Sequence, residues 1–85
     1  MKTLFSILDG IIDQDGITDA FAHLSDLEYI ESYANNGMDV YPSNEQIKKI
    51  SRVGLDWINH VKNGGLWSLY RDEAESNLNE AIGEN

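Results

Sequence analysis

The sequence predicts an all-α protein, a compact four-helix bundle or orthogonal helical array over residues 1–85, forming one small domain. Three observations carry this. Apolar residues recur three and four apart along most of the chain. Turn-forming clusters separate the periodic stretches: Asp13-Gln14-Asp15-Gly16, Asn35-Asn36-Gly37 and Asn63-Gly64-Gly65. The one extended stretch, Met38-Asp39-Val40-Tyr41, set by the following proline, is too short and too alone to read as a strand.

The first helix is expected from Thr3 to Asp13. Leu4, Phe5, Leu8, Ile11 and Ile12 share one face, which Ile7 widens. Gly10 costs about 1 kcal/mol relative to alanine inside a helix unless a neighbour packs there. A turn at Asp13–Gly16 ends it. The second helix is expected from Thr18 to Asn35, with Ala20, Phe21, Leu24, Leu27, Ile30 and Ala34 as its stripe. Ser25-Asp26-Leu27-Glu28 reads as a capping box inside this run. The choice lies between one helix and two, and the unbroken stripe favours one with a kink.

The third helix is the best specified. Ser43-Asn44-Glu45-Gln46 is a capping box, and Ile47, Ile50, Gly54, Trp57 and Val61 alternate three and four apart. Glu45 to Lys49 and Asp56 to His60 have the spacing of favourable pairs, the second with protonated histidine. Asn63-Gly64-Gly65 stops the helix. The fourth helix starts at Leu66 or Ser68 and runs to Ile82, with Leu66, Trp67, Tyr70, Ala74, Leu78 and Ala81 on one side.

The net charge of −9 is unevenly spread. Residues 1–40 carry eight acids and one lysine, and residues 71–85 carry five acids and one arginine. Between them Lys48, Lys49, Arg52 and Lys62 outnumber Glu45 and Asp56. Such a balance repels phosphate backbones and anionic lipid and favours a basic protein surface. With no cysteine there is neither disulfide nor thiolate metal site. No apolar run of membrane-spanning length occurs, and Asp9 and Asp13 interrupt the N-terminal segment against a signal-peptide reading. A cytoplasmic protein is expected.

Chemistry finds little to build on. No nucleophile elbow or phosphate-binding glycine loop is present. Aligning Gly16 with the sixth position of a calcium loop puts Ile11 first and Ala22 twelfth, where acids are required. His23 and His60 lack metal-ligand spacing. Glu28/Glu31 and Asp72/Glu75 are acids at helical spacing, better read as solvated faces than as acid–base pairs. Neither an enzyme, a cofactor nor a metal is expected. As a helix-turn-helix, Gly54 would put Ile50 where a small residue is needed.

Protein binding remains. Tyr29 and Tyr33 lie one turn apart, opposite the apolar stripe and beside Asp19 and Asp26. With Asp72, Glu73 and Glu75 they form the expected partner-binding set. The order Asp39-Val40-Tyr41-Pro42, a helix with Ile47, Ile50 and Trp57, then Asn63-Gly64, faintly resembles the colicin-type DNase immunity proteins, which are small, acidic and four-helical. The second predicted helix after the glycines and the single tyrosine before proline depart from that pattern, and family membership is not assigned. The function expected is a small acidic inhibitor covering a basic, nucleic-acid-handling surface of a protein partner. It would be of the phage anti-defence or toxin-neutralising kind, with a DNA mimic as one form. The alternatives are a homo-oligomeric assembly subunit, a homodimer in the simplest case, and a weak helical DNA-binding regulator using Lys48, Lys49 and Arg52.

Overall fold

The helical backbone breaks at Gly16, where the sequence expects the first helix to have ended, and a second arm follows at once. In the computed structural model, which describes residues 4–38 and 41–81, α1 spans Leu4–Leu24. Gly16 interrupts the helical backbone at φ 77° and ψ 167°. That conformation belongs almost only to glycine, so the expected turn at Asp13–Gly16 is compressed to one residue between two helical arms. The first arm buries Phe5, Ile7, Leu8, Ile11 and Ile12; the second buries Ala20 and Leu24.

The reading of one helix over Thr18–Asn35 is corrected. The chain breaks after Leu24, and α2 runs Leu27–Ser32. Its N-cap is Asp26, not Ser25: the Asp26 carboxylate accepts from the Glu28 and Tyr29 amides. The Ser25 hydroxyl instead donates back to the Phe21 carbonyl at 2.9 Å. The Leu24 carbonyl at the end of α1 accepts from the Ser51 hydroxyl, which satisfies one of the groups a helix end leaves open. After α2 the chain winds into a π-helical segment, Tyr33–Met38, so Asn35-Asn36-Gly37 does not stop it. Asp39 and Val40 of the expected extended stretch lie outside the described residues.

The helix α3, Asn44–Lys62, opens on the expected capping box. The Ser43 amide donates to Gln46 Oε1 at 2.8 Å, and the Gln46 amide donates to Ser43 Oγ at 3.2 Å. It buries Ile47, Ile50, Val53, Gly54, Trp57 and Ile58. Both arms of α1 converge on Gly54. A Cβ there would lie 2.6 Å from a Leu8 methyl and 2.7 Å from a Leu24 methyl. The final helix, α4, spans Trp67–Ala81 and buries Tyr70, Ala74 and Leu78. Leu66, expected on the buried side, is 63% exposed.

Specific contacts join the layers. Phe5 and Trp57 stack at 5.8 Å between α1 and α3. The Arg71 guanidinium donates twice to Asp9, at 2.9 and 3.2 Å, and spans the Phe5 ring at 5.3 Å. Lys62 stands over the Phe21 ring at 4.4 Å. The architecture is all-α, a helical array about one apolar core, and among the described residues no helix is long and apolar enough to cross a membrane.

Candidate protein-binding surface

The short helix α2 and its π-helical continuation stand as a ridge between two hollows. On one flank Gln14, Tyr29, Ser32, Tyr33 and Asn36 line a hollow of about 350 Å³. On the other, Leu27, Glu28 and Glu31 face Asn44, Ile47 and Lys48 of α3 across a groove of about 280 Å³. The ridge follows from the local sequence. Asp26 starts α2, Ile30 and Ala34 hold it to the core, and Glu31 and Ser32 between them are exposed.

Tyr29 and Tyr33 occupy a different setting from the outer face expected of them. Both are half-buried and packed on the core. The Tyr29 hydroxyl donates to Asp15 Oδ2 at 3.1 Å. The same oxygen accepts from His23 Nδ1 at 2.6 Å, and the His23 ring stacks on Tyr29 at 3.9 Å with an 11° tilt. Asp15 is therefore a shared acceptor, its side chain only 10% exposed. Tyr33 lies over Gly10. Burial, then the hydrogen bond to Asp15, then its charge raise the Tyr29 pKa above the usual 10.0. Burial first, then the charges of Asp15 and Asp13, raise that of Tyr33. Both phenols stay protonated at neutral pH, and their hydroxyls are turned to α1. Their rings are held in place, with each residue still partly accessible.

The same arrangement recurs between α3 and α4. The Tyr70 hydroxyl donates to Asp56 at 2.7 Å, and the His60 ring stacks on Tyr70 at 4.2 Å. Asp56 is thus engaged by Tyr70 rather than by His60 as the spacing suggested. The hydrogen bond to Asp56, with burial second, pushes the Tyr70 pKa up to about 12. Gly65 packs against the His60 ring, which leaves no room for a side chain there.

The expected partner-binding residues do not form one patch. Asp26, Tyr29 and Tyr33 belong to the ridge. Asp72, Glu73 and Glu75 lie on α4, which does not touch α2, and Asp19 is exposed on the second arm of α1. Asp26 is partly committed to its cap. Among the described residues the side chains of Asp19, Glu28, Glu31, Asp72 and Glu73 are exposed and make no ion pair or hydrogen bond with another residue. The cations are largely committed elsewhere. Arg71 serves Asp9, Lys62 covers Phe21, and Lys48 pairs with Glu45 at 3.8 Å rather than leaving that role to Lys49. Arg52 lines a separate hollow between α3 and α4 with Asp56 and Asn77.

Sequence reasoning missed two parts of this surface. Asp15 was absorbed into a turn motif, and nothing in its spacing marks a partner for His23 and Tyr29. Leu27 was counted with the core stripe, yet it is 40% exposed at the groove edge. The Glu28/Glu31 spacing was the available signal, since two acids one turn apart must share a side of the helix. Among the described residues no cluster of metal-ligating side chains occurs.

No family model, curated protein or solved structure matches this chain.

Proposed function

We propose that this protein is a small acidic inhibitor that binds a basic, nucleic-acid-handling surface of a partner protein, of the anti-defence or toxin-neutralising kind. The observation behind this reading is the set of exposed carboxylates that make no ion pair or hydrogen bond among the described residues: Asp19, Glu28, Glu31, Asp72 and Glu73. The net charge of −9 makes the free protein self-repelling, a cost that a basic partner relieves. Opposite charge also accelerates encounter and rejects acidic competitors. The ordered rings of Tyr29 and Tyr33 supply contact area beside these charges. A DNA-mimicking form of this inhibitor would compete with duplex DNA for the partner.

The test is affinity capture from the source cell with washes of rising salt, followed by assay of the captured protein's nucleic-acid activity. A basic protein released by salt and inhibited by the chain is the expected result. Capture indifferent to salt, or captured proteins whose activity the chain leaves unchanged, would sink the reading.

One observation favours a second reading, self-association. Leu66 and Leu69, just before and within the first turn of α4, are 63% and 72% exposed. Light scattering across a concentration series separates the two, since a monomer at micromolar concentration excludes an assembly subunit built on these two leucines.

A further inference from the structure

We infer that the groove between α2 and α3 is the docking site for a basic amphipathic helix of the partner, seated by an aliphatic anchor and lysine or arginine side chains. This rests on the acidic-inhibitor reading and names the segment it would recognise.

The groove has an apolar floor and an acidic rim. Ile47, 3% exposed, forms part of the floor, and the half-exposed Leu27 stands at its edge. Glu28 and Glu31 line the α2 side, one turn apart, and make no ion pair among the described residues. Lys48 lines the α3 side and pairs with the exposed Glu45 at 3.8 Å, so the groove and its edge carry three acids, Glu28, Glu31 and Glu45, against one lysine. The space, about 280 Å³, falls at or below the roughly 300–1,000 Å³ of small-molecule pockets and suits one or two protruding side chains.

Two considerations choose a helix as occupant. Among the described residues there is no strand, so no sheet edge offers an extended peptide a template. The groove instead lies between two helices, where a third can lay an apolar face. On such a helix, residues three and four apart share a face, so an aliphatic side chain over Leu27 and Ile47 leaves neighbouring cations level with Glu28 and Glu31. The charge of the rim selects basic over acidic helices.

The experiment is an NMR titration of the labelled protein with a leucine–lysine amphipathic helical peptide about four turns long. A leucine–glutamate peptide of the same pattern is the control. The expected result is shifts concentrated on Leu27, Glu28, Glu31, Asn44, Ile47 and Lys48, absent with the acidic peptide. Affinity should fall about tenfold or more in the double variant Glu28→Gln/Glu31→Gln, and in Leu27→Ser. Asp72→Asn/Glu73→Gln should leave it nearly unchanged. Both doubly substituted sites are exposed, so the variants should keep the wild-type spectrum elsewhere. Basic-peptide binding centred on α4, or indifferent to Glu28→Gln/Glu31→Gln, overturns the groove assignment while the acidic-binder reading stands. No binding of the basic peptide anywhere at low salt overturns both. Concentration-dependent shifts of the groove amides without peptide would assign it to a second copy of the chain instead.

Discussion

Tyr33 closes over Gly10 so tightly that a methyl group on that glycine would meet the phenolic oxygen at 2.5 Å. The contact explains why a residue unfavourable to helices sits inside α1. It also separates two glycines of similar sequence context. The Tyr33 ring is half-exposed and can tilt outward, whereas the Leu8 and Leu24 methyls over Gly54 are fully buried and cannot. Gly10→Ala should therefore be near neutral in stability, its helix-propensity gain of about 1 kcal/mol offsetting the displaced ring. Gly54→Ala should destabilise by about 1–3 kcal/mol through overpacking, despite the same propensity gain. Urea unfolding of the two variants checks the contrast, and equal effects would contradict it.

The cap of α2 is assigned to Asp26 and not to its neighbour. Asp26→Ala should cost about 1 kcal/mol, because two amides lose their acceptor. Ser25→Ala should change stability by less than about 0.5 kcal/mol, since its hydroxyl makes only an exposed bond to a carbonyl. A larger loss at Ser25 than at Asp26 in thermal unfolding would restore the capping-box assignment.

Tyr70 gives the molecule an alkaline limit. Its folded pKa of about 12 lies above the ordinary 10.0. The stability this contributes is fully present below pH 10 and is lost as pH rises through the folded value. Tyr29 and Tyr33 shift in the same direction. Phenolate absorbance should show a late ionising step that Tyr70→Phe removes. That variant should also lose about 0.5–1.5 kcal/mol at neutral pH, the net value of one hydrogen bond.

Uncompensated surface carboxylates predict a positive response to salt. Raising ionic strength from about 0.01 M to about 0.1 M shortens the screening length from roughly 30 to 10 Å. Repulsion among Asp19, Glu28, Glu31, Asp72 and Glu73 weakens, and the melting temperature should rise. Glu28→Gln/Glu31→Gln should reduce that rise. A melting temperature that falls with salt would mean that internal ion pairs dominate instead.

Much of the architecture was legible because it depends on local signals. Ser43 and Gln46 needed only their spacing to define the start of α3, and Ile47, Ile50, Gly54 and Trp57 needed only their period to define its buried face. What escaped depended on distant partners. Gly16 reads as a stop and does break the helical backbone, but the meeting of Leu8 and Leu24 from the two arms on Gly54 has no local signal. The stripe through Leu24, Leu27 and Ile30 reads as continuous, but an Asp26 cap and the Ser51 hydroxyl on the Leu24 carbonyl break it. Tyr29 and Tyr33 read as outward because periodicity cannot foresee Asp15 and Gly10 arriving from another helix. For the same reason the α2–α3 groove was invisible, while the excess of acid that rims it was plain.

The join of α4 to the rest has a kinetic meaning. Its buried side is a narrow seam of Tyr70, Ala74 and Leu78 against α3, and its hold on α1 centres on Arg71 and Asp9. As the terminal helix of the array, α4 is expected to come away as one cooperative unit while α1 and α3 stay packed. Amides of α4 should exchange with solvent through a lower-energy opening than those of α3, and Arg71→Ala should speed that opening while leaving α3 protected. Detachment would uncover the Asp56 side of α3 and carry Asp72 and Glu73 away, while the groove between α2 and α3 stays assembled.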